Sequence, residues 1–193
     1  MTDHPALAFA AEQGDVLPLY IVEPEYWQLP DTSGRQFAFL RESLEDLQSE
    51  LRALSSELVV RTGDAVEILQ DLHQAIQFTQ IVSHEETGNA WTFERDQKVS
   101  AWAKAHSIPW TELPQSGVVR RLDGRDGWAK YRNQFLAKPQ IETPKALPPV
   151  TLNSDAIPDL KLTDPCRDRQ PGGRSQALSL LGGFLTERGQ TYR

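Results

Sequence analysis

The stretch Ile81 to Arg132, IVSHEETGNAWTFERDQKVSAWAKAHSIPWTELPQSGVVRRLDGRDGWAKYR, strings together a strand, a polar turn, an aromatic helix, a second strand and a basic segment. Apolar Ile81 and Val82 run into His84, Glu85, Glu86, Thr87, Gly88 and Asn89, so functional-group side chains collect where a strand gives way to a helix. In parallel α/β sheets that edge is where ligands sit. Asn89 or Thr92 can cap the helix that follows, which runs through Val99 and Trp102 to about Ala105. Ile108 to Leu113 reads as the next strand, and Pro109 places it at an edge.

Working back toward the amino end, Phe78 to Ser83 is strand and Ala65 to Ile76 is helix, with Val66, Leu69, Leu72, Ala75 and Ile76 on one face. Leu58 to Arg61 is a short strand ending at Gly63-Asp64. Before it, Phe37, Leu40, Leu44, Leu47, Leu51 and Leu54 form the clearest helical stripe in the chain. Fewer than three heptads are present and a strand follows at once, so this is a core-facing helix rather than a coiled coil. Val16 to Val22 is a nearly continuous apolar run, as in a strand covered on both faces, with Pro18 delaying its pairing. Pro5 to Gln13 is an Ala-rich helix with Asp3 as the available N-cap and Gly14 as its stop. The order α-β-α-β-α-β-α-β predicts a Rossmann-like, doubly wound parallel sheet in a three-layer αβα arrangement.

Toward the carboxyl end, Gly117 to Phe135 reads as a loop and a basic amphipathic segment carrying Arg120, Arg121, Arg125, Lys130 and Arg132. The interleaved Asp123 and Asp126 favour ion-paired packing over phosphate contact. From Lys138 to Gly173 seven prolines and no sustained periodicity predict an extended linker. Ser175 to Glu187 is a terminal amphipathic helix through Ala177, Leu178, Leu181, Phe184 and Leu185, with no obvious partner among the earlier helices. The resulting division is an α/β domain over 1–137, a linker over 138–173 and a helical segment over 174–193.

Composition narrows the function classes. The 193 residues carry 20 basic and 27 acidic side chains, a net charge of −7, which argues against binding nucleic acid by bulk charge; such a contact would need a local basic patch. Cys166 is the single cysteine, which excludes an internal disulfide framework and fits a reducing cytoplasm. No apolar run approaches the roughly 20 residues of a membrane span, and the start MTDHPALAFAAEQG does not read as a signal peptide.

The cluster His84-Glu85-Glu86 lacks the i, i+4 histidine pair that sets two imidazoles on one helix face, so a metal is disfavoured and the loop either caps structure or lines a ligand. Trp91, directly after it, is a candidate for stacking on a planar ring, whereas Trp102 and Trp110 read as core. No glycine-rich phosphate loop and no Gly-x-Ser-x-Gly elbow occurs, and His4, His73, His84 and His106 sit in unrelated sequence contexts. No catalytic residue is identified.

Asp3-His4-Pro5-Ala6-Leu7, followed by Val16-Leu17-Pro18-Leu19-Tyr20-Ile21 and Trp27, resembles the start of the DNA photolyase and cryptochrome family. The stripe helix after Gly34-Arg35, the Leu58 to Gly63 strand with Asp64, and the HEETGNAWT…RD…W segment continue the likeness through Arg132. The resemblance implies an N-terminal α/β domain that often carries a light-harvesting antenna pigment, followed by a larger helical domain that binds flavin adenine dinucleotide and receives damaged DNA. In the intact relatives it implies a lyase activity, light-driven reversal of pyrimidine dimers, or blue-light sensing; this chain alone is expected not to be catalytic.

Gly172-Gly173 through Ala177, Leu181, Phe184 and Tyr192 resemble the entry to the flavin domain, and Tyr192 matches a tyrosine used near the flavin phosphates. The resemblance leaves the family's first strand, with its arginine-rich end, and most of the flavin domain outside these residues. The strands at Val16 and Phe78 then lack their usual central neighbour. Glu85, Glu86, Asn89 and Trp91 are the expected antenna contacts. In folate-binding relatives an acidic residue and a neighbouring asparagine hold the pigment; aligning Arg95-Asp96 places Trp91 and Thr92 at those positions. A deazaflavin-type pigment, another folate geometry and no pigment stay open. A stand-alone nucleotide- or pigment-binding module and a structural partner of a separate flavin domain are the alternatives.

Overall fold

The computed structural model describes residues 1–192. The elements run α1 (Pro5–Gln13), β1 (Leu19–Val22), α2 (Gly34–Ala53), β2 (Val59–Thr62), α3 (Ala65–Ile76), β3 (Ile81–His84), α4 (Ala90–Ala105), β4 (Trp110–Leu113), α5 (Trp128–Leu136) and α6 (Arg174–Thr186). All strand pairing among the described residues is parallel, and it falls into two separate two-stranded sheets, β1 with β2 and β3 with β4. The architecture is therefore α/β with helical crossovers and a C-terminal helix. No strand lies ahead of α1 within these residues, and among the described residues β1 pairs with β2 and β3 with β4.

The chain forms two compact units, each built from two stretches of sequence. The first comprises Met1–Val16 and Gly63–Val150. Its ladder aligns Ile81 with Trp110 and His84 with Leu113, and α1 packs on β3. Pro109 stands just outside the strand yet contributes its carbonyl, which accepts the Ile81 N–H at 2.9 Å. Helices α3 and α4 meet through buried Leu69, Leu72, Val99, Trp102 and Ala103, and the Trp102 indole N–H donates to Gln70 Oε1 at 2.7 Å. His73 and His106 stack around the same tryptophan, so two of the histidines that look unrelated in sequence share one aromatic cluster.

Helix starts in this unit follow side-chain chemistry. Asp64 Oδ1 accepts the N–H groups of Val66 and Glu67 at 2.8 and 3.1 Å, capping α3. At α1 the expected cap is corrected. Asp3 exchanges two 3.0 Å bonds with the backbone of Ile141 instead, and His4 takes its place, Nδ1 accepting the Leu7 N–H at 3.0 Å.

The second unit comprises Leu17–Thr62 and the described residues from Thr151 on. Here β1 starts late, after Pro18, whose carbonyl nonetheless receives the Val59 N–H at 2.8 Å. Leu44 and Leu51 of the α2 stripe are 4% and 2% exposed, and Val22, Val59 and Val60 of the ladder are equally buried. Gln48 Oε1 accepts the Leu58 N–H, tying α2 to the start of β2.

The extended segment after Thr151 is stitched down rather than loose. Ser154 Oγ accepts from Val60 N and Asp155 N donates to Val60 O, which satisfies the outer edge of β2. Asp164 accepts the Arg35 N–H at 2.9 Å. Glu42 accepts both the Arg169 guanidinium and the Gly172 N–H, which push its carboxyl down to about 2. Ser43 Oγ takes the Gly173 N–H, and Asp46 Oδ2 takes the Arg174 N–H at 2.6 Å. Helix α6, preceded by two glycines with no side chain to cap it, is thus capped by a carboxylate of α2. Gly172 is required by space: a β-carbon there would sit 2.1 Å from the Phe39 carbonyl oxygen.

Leu51→Ala is expected to lower stability by about 2–5 kcal/mol in urea unfolding, whereas exposed Leu185→Ala should change it by less than ~0.5 kcal/mol. Gly172→Ala should leave the rest of the unit folded but open the strap. Limited proteolysis between Thr151 and Gln170 is then expected to accelerate by roughly fivefold, as ~1 kcal/mol of local destabilisation implies; unchanged cleavage would show that the glycine is not needed there.

Candidate functional site

The site is the carboxyl edge of β3 and β4 in the first unit. The parallel ladder continues one step past the strand, since Glu85 N–H donates to Leu113 O at 2.9 Å. The chain then folds on itself. Glu86 Oε1 accepts the Thr87 N–H at 2.8 Å, and Asn89 Oδ1 accepts the Thr92 N–H at 3.1 Å, capping α4. Gly88 has no room for a side chain: a β-carbon would lie 2.7 Å from Thr92 Oγ1 and 3.0 Å from Glu86 Oε1.

Around this loop lies an ion network. Arg95 places Nε and Nη2 on Asp96 Oδ1 at 3.0 and 2.8 Å and reaches Glu86 Oε2 at 3.6 Å. Arg120 donates from Nε to the Glu86 carbonyl and from Nη1 to Glu112 Oε1, at 2.8 and 2.7 Å. Arg120 is thus ion-paired, as its setting among acids suggests, but through Glu112 on β4 rather than through Asp123 or Asp126. Burial pushes the Asp96 carboxyl up, against the pull of Arg95.

The structure brings together two further residues that sequence reasoning leaves apart. His84, ending β3, lies with its ring centroid 4.5 Å from that of His4. The N–H groups of Ala6 and Leu7, in the first turn of α1, point at His84 Nε2 (3.4 Å) and His4 Nδ1 (3.0 Å). A nitrogen that accepts a hydrogen bond must be unprotonated, and a helix N-terminus disfavours a cation. Burial, followed by the neighbouring His84, holds His4 below the usual imidazole range, and burial does the same for His84. The one signal available in sequence is the position of His4 just before Pro5, at a helix start.

Of the expected antenna residues, Glu85 continues the ladder, Glu86 and Asn89 hold the loop in shape, and Trp91 stands part-buried on the first turn of α4. Tyr192 lies in the second unit, 78% exposed, with the Phe184 ring edge-on at 5.7 Å. Trp110, read as core, is part-buried and donates its indole N–H to Ser83 Oγ at 2.9 Å. Among the described residues no three His, Cys, Asp or Glu side chains are placed to hold a metal ion. Chemically the edge offers two neutral imidazoles, a loop of engaged acceptors and an aromatic ring.

A sequence profile of the DNA photolyase family matches residues 1–131. Cryptochrome DASH of Xenopus laevis is 26% identical over 215 residues, covering 96% of this chain and 41% of the relative. Among solved structures, a bacterial class III photolyase from Agrobacterium tumefaciens superposes with a TM-score of 0.74 at 22% identity, over 95% of this chain and 42% of that one. A Synechocystis cryptochrome superposes with a TM-score of 0.77 at 18% identity, over 97% and 44%. The chain spans about two fifths of the length of these relatives.

The histidine pair sets a pH dependence. Both imidazoles have folded values lowered from 6.5, so the stability they contribute is fully present above 6.5 and is lost as pH falls from there through the lowered folded values. Urea unfolding should show the protein less stable at pH 5 than at pH 7.5. His4→Asn with His84→Gln, which keeps acceptors that do not titrate, should shrink that difference; an unaltered difference would assign it to other groups.

Proposed function

This chain belongs to the DNA photolyase family as an N-terminal α/β domain, and from that premise we propose that it is the light-collecting and docking part of a photolyase- or cryptochrome-like protein. The chemistry, light-driven repair of pyrimidine dimers or blue-light sensing, would reside in a helical flavin-binding domain, with damaged DNA reached through it. The observation that carries the docking half is α6. Leu178, Leu180, Leu181, Phe184 and Leu185 are 37–68% exposed and lie on one side of the helix, opposite Ser175, Ser179 and Thr186. An amphipathic helix with its apolar face exposed is one that buries that face against a further core.

On this reading 1–137 is the α/β domain, 138–173 the interdomain linker and 174–193 the start of the helical domain. The fold on this reading is the doubly wound, Rossmann-like three-layer arrangement, which the parallel pairing and helical crossover within each unit support. The protein acts in the cytoplasm on this reading; among the described residues no helix is long and apolar enough to cross a membrane.

An antenna pigment, of folate or deazaflavin type, would lie at the edge formed by Glu85, Glu86, Asn89 and Trp91 and would supply energy transfer to the flavin. Because Glu86 and Asn89 already accept backbone N–H groups inside the loop, their part is to hold its shape, while Glu85 and the Trp91 ring are the side chains suited to touch a planar pigment. For the flavin itself the residues present do not suffice. Tyr192 is an exposed phenol beside Phe184, and a dinucleotide needs several converging donors.

The absorption spectrum of the protein purified from its own host tests the antenna. A near-ultraviolet or blue band that survives gel filtration and is diminished by Glu85→Gln with Trp91→Ala is expected; protein absorption alone would sink the antenna assignment. Supplied with flavin and blue light, the chain should leave thymine dimers intact, and repair would place the chemistry within these residues.

A further inference from the structure

We propose that α2 holds α6 helical, so that the docking face of α6 is formed only while Glu42, Ser43 and Asp46 are engaged with its start; these three are positioning residues for docking. The proposal rests on the docking role given to α6 above and adds the condition under which its face exists. It begins with the sequence of the helix, RSQALSLLGGFLT. Thirteen residues are near the length at which a helix in water is marginal even when rich in alanine, because the first turn is costly to form. Gly182 and Gly183 stand in the interior, and glycine loses more backbone freedom in a helix than any other residue. Ser175, Ser179 and Thr186 share the polar side with them and are weak helix formers as well.

Space does not require the glycines. A β-carbon at Gly182 would meet nothing within 4 Å, and one at Gly183 would come no closer than 3.8 Å to the Arg188 side chain. Every residue of α6 except Gly183 is exposed, so tertiary packing does little to offset the weak sequence. The support is concentrated at the start. Glu42 Oε2 accepts the Gly172 N–H at 2.7 Å and Ser43 Oγ the Gly173 N–H at 3.0 Å, while the N–H groups of Arg174 and Ser175 reach Asp46 Oδ2 at 2.6 and 3.4 Å. One stretch of α2 thus fixes four consecutive donors where α6 begins, which supplies the costly first turn from outside the helix. Arg169, bonded to Glu42, ties the strap to the same point. Opening this clasp leaves α6 to nucleate by itself, and docking affinity then falls with the fraction of chains that keep the helix.

Hydrogen–deuterium exchange of the full chain, read separately over α6 and α2, tests this. The α6 amides are expected to be protected in the parent and to lose that protection about fivefold in Asp46→Ala, the change that loss of an N-cap implies. The α2 amides should stay at the parent rate. Asp46→Asn, which keeps an oxygen acceptor, should exchange like the parent, and Gly182→Ala with Gly183→Ala should restore protection in the Asp46→Ala background. Arg169→Gln opens the clasp from the strap and leaves the α2 sequence intact; it should act in the same direction, and it decides the matter if Asp46→Ala misfolds. Three results would overturn the proposal: α6 unprotected in the parent, α6 equally protected in Asp46→Ala and Arg169→Gln, or α2 exchanging faster along with α6. Exchange is read on the chain alone, so each of these is distinct from failure of the docking role, which shows as no association with a flavin-binding domain supplied separately.

Discussion

Every rung of the β1–β2 and β3–β4 ladders is parallel, and a parallel pair cannot be closed by a tight turn. The chain must leave one end of a strand and return to the other, which a helix does with its backbone hydrogen bonds satisfied internally. Helices α2 and α4 are therefore consequences of the pairing, and so is the gathering of polar loops at the carboxyl ends of the strands. The strands are only four residues long, so the ladders contribute few hydrogen bonds. Buried leucines, valines and tryptophan on the helices carry much of the stabilisation.

Short elements leave many backbone groups without a ladder or helix partner, and side chains meet that demand in both units. Asp64 and Asn89 cap their own helices from the adjacent position. Asp46 caps α6 from another helix, and Ser154 closes the outer edge of β2. Glu42 gathers a guanidinium and an N–H group. The polar loop at the β3 edge belongs to the same pattern. Glu86 and Asn89 each hold a backbone N–H group of the loop.

Much of the fold was legible in the residues. The spacing of Val66, Leu69 and Leu72 locates α3 to the residue, the α2 stripe lies within its helix from Phe37 to Leu51 with Leu54 at its C-cap, and Pro18 marks the late start of β1. These succeed because side-chain periodicity is a property of neighbours along the chain. The candidate site was legible in position and not in construction. The order of strand, polar loop and helix locates the polar loop at the carboxyl edge of β3 and β4, but Asp3 reads as the cap of α1 and is bonded to Ile141 instead. Likewise the segment from Lys138 to Gly173 reads as an extended linker with no sign of its anchors, since carboxylate-to-backbone bonds leave no periodic trace.

Local pattern was thus sufficient for the order of elements, their parallel α/β character and the family they belong to. The three-dimensional arrangement alone decided that His84 joins His4 at the start of α1, 78 residues away for the bond to Ala6. It alone decided that Glu42 and Ser43 fasten the glycine pair 130 residues distant, and that the strands form two ladders. Hydrogen bonds and ring contacts act over a few ångströms of space, and nothing in the spacing of residues along a chain records which distant groups will come within that reach.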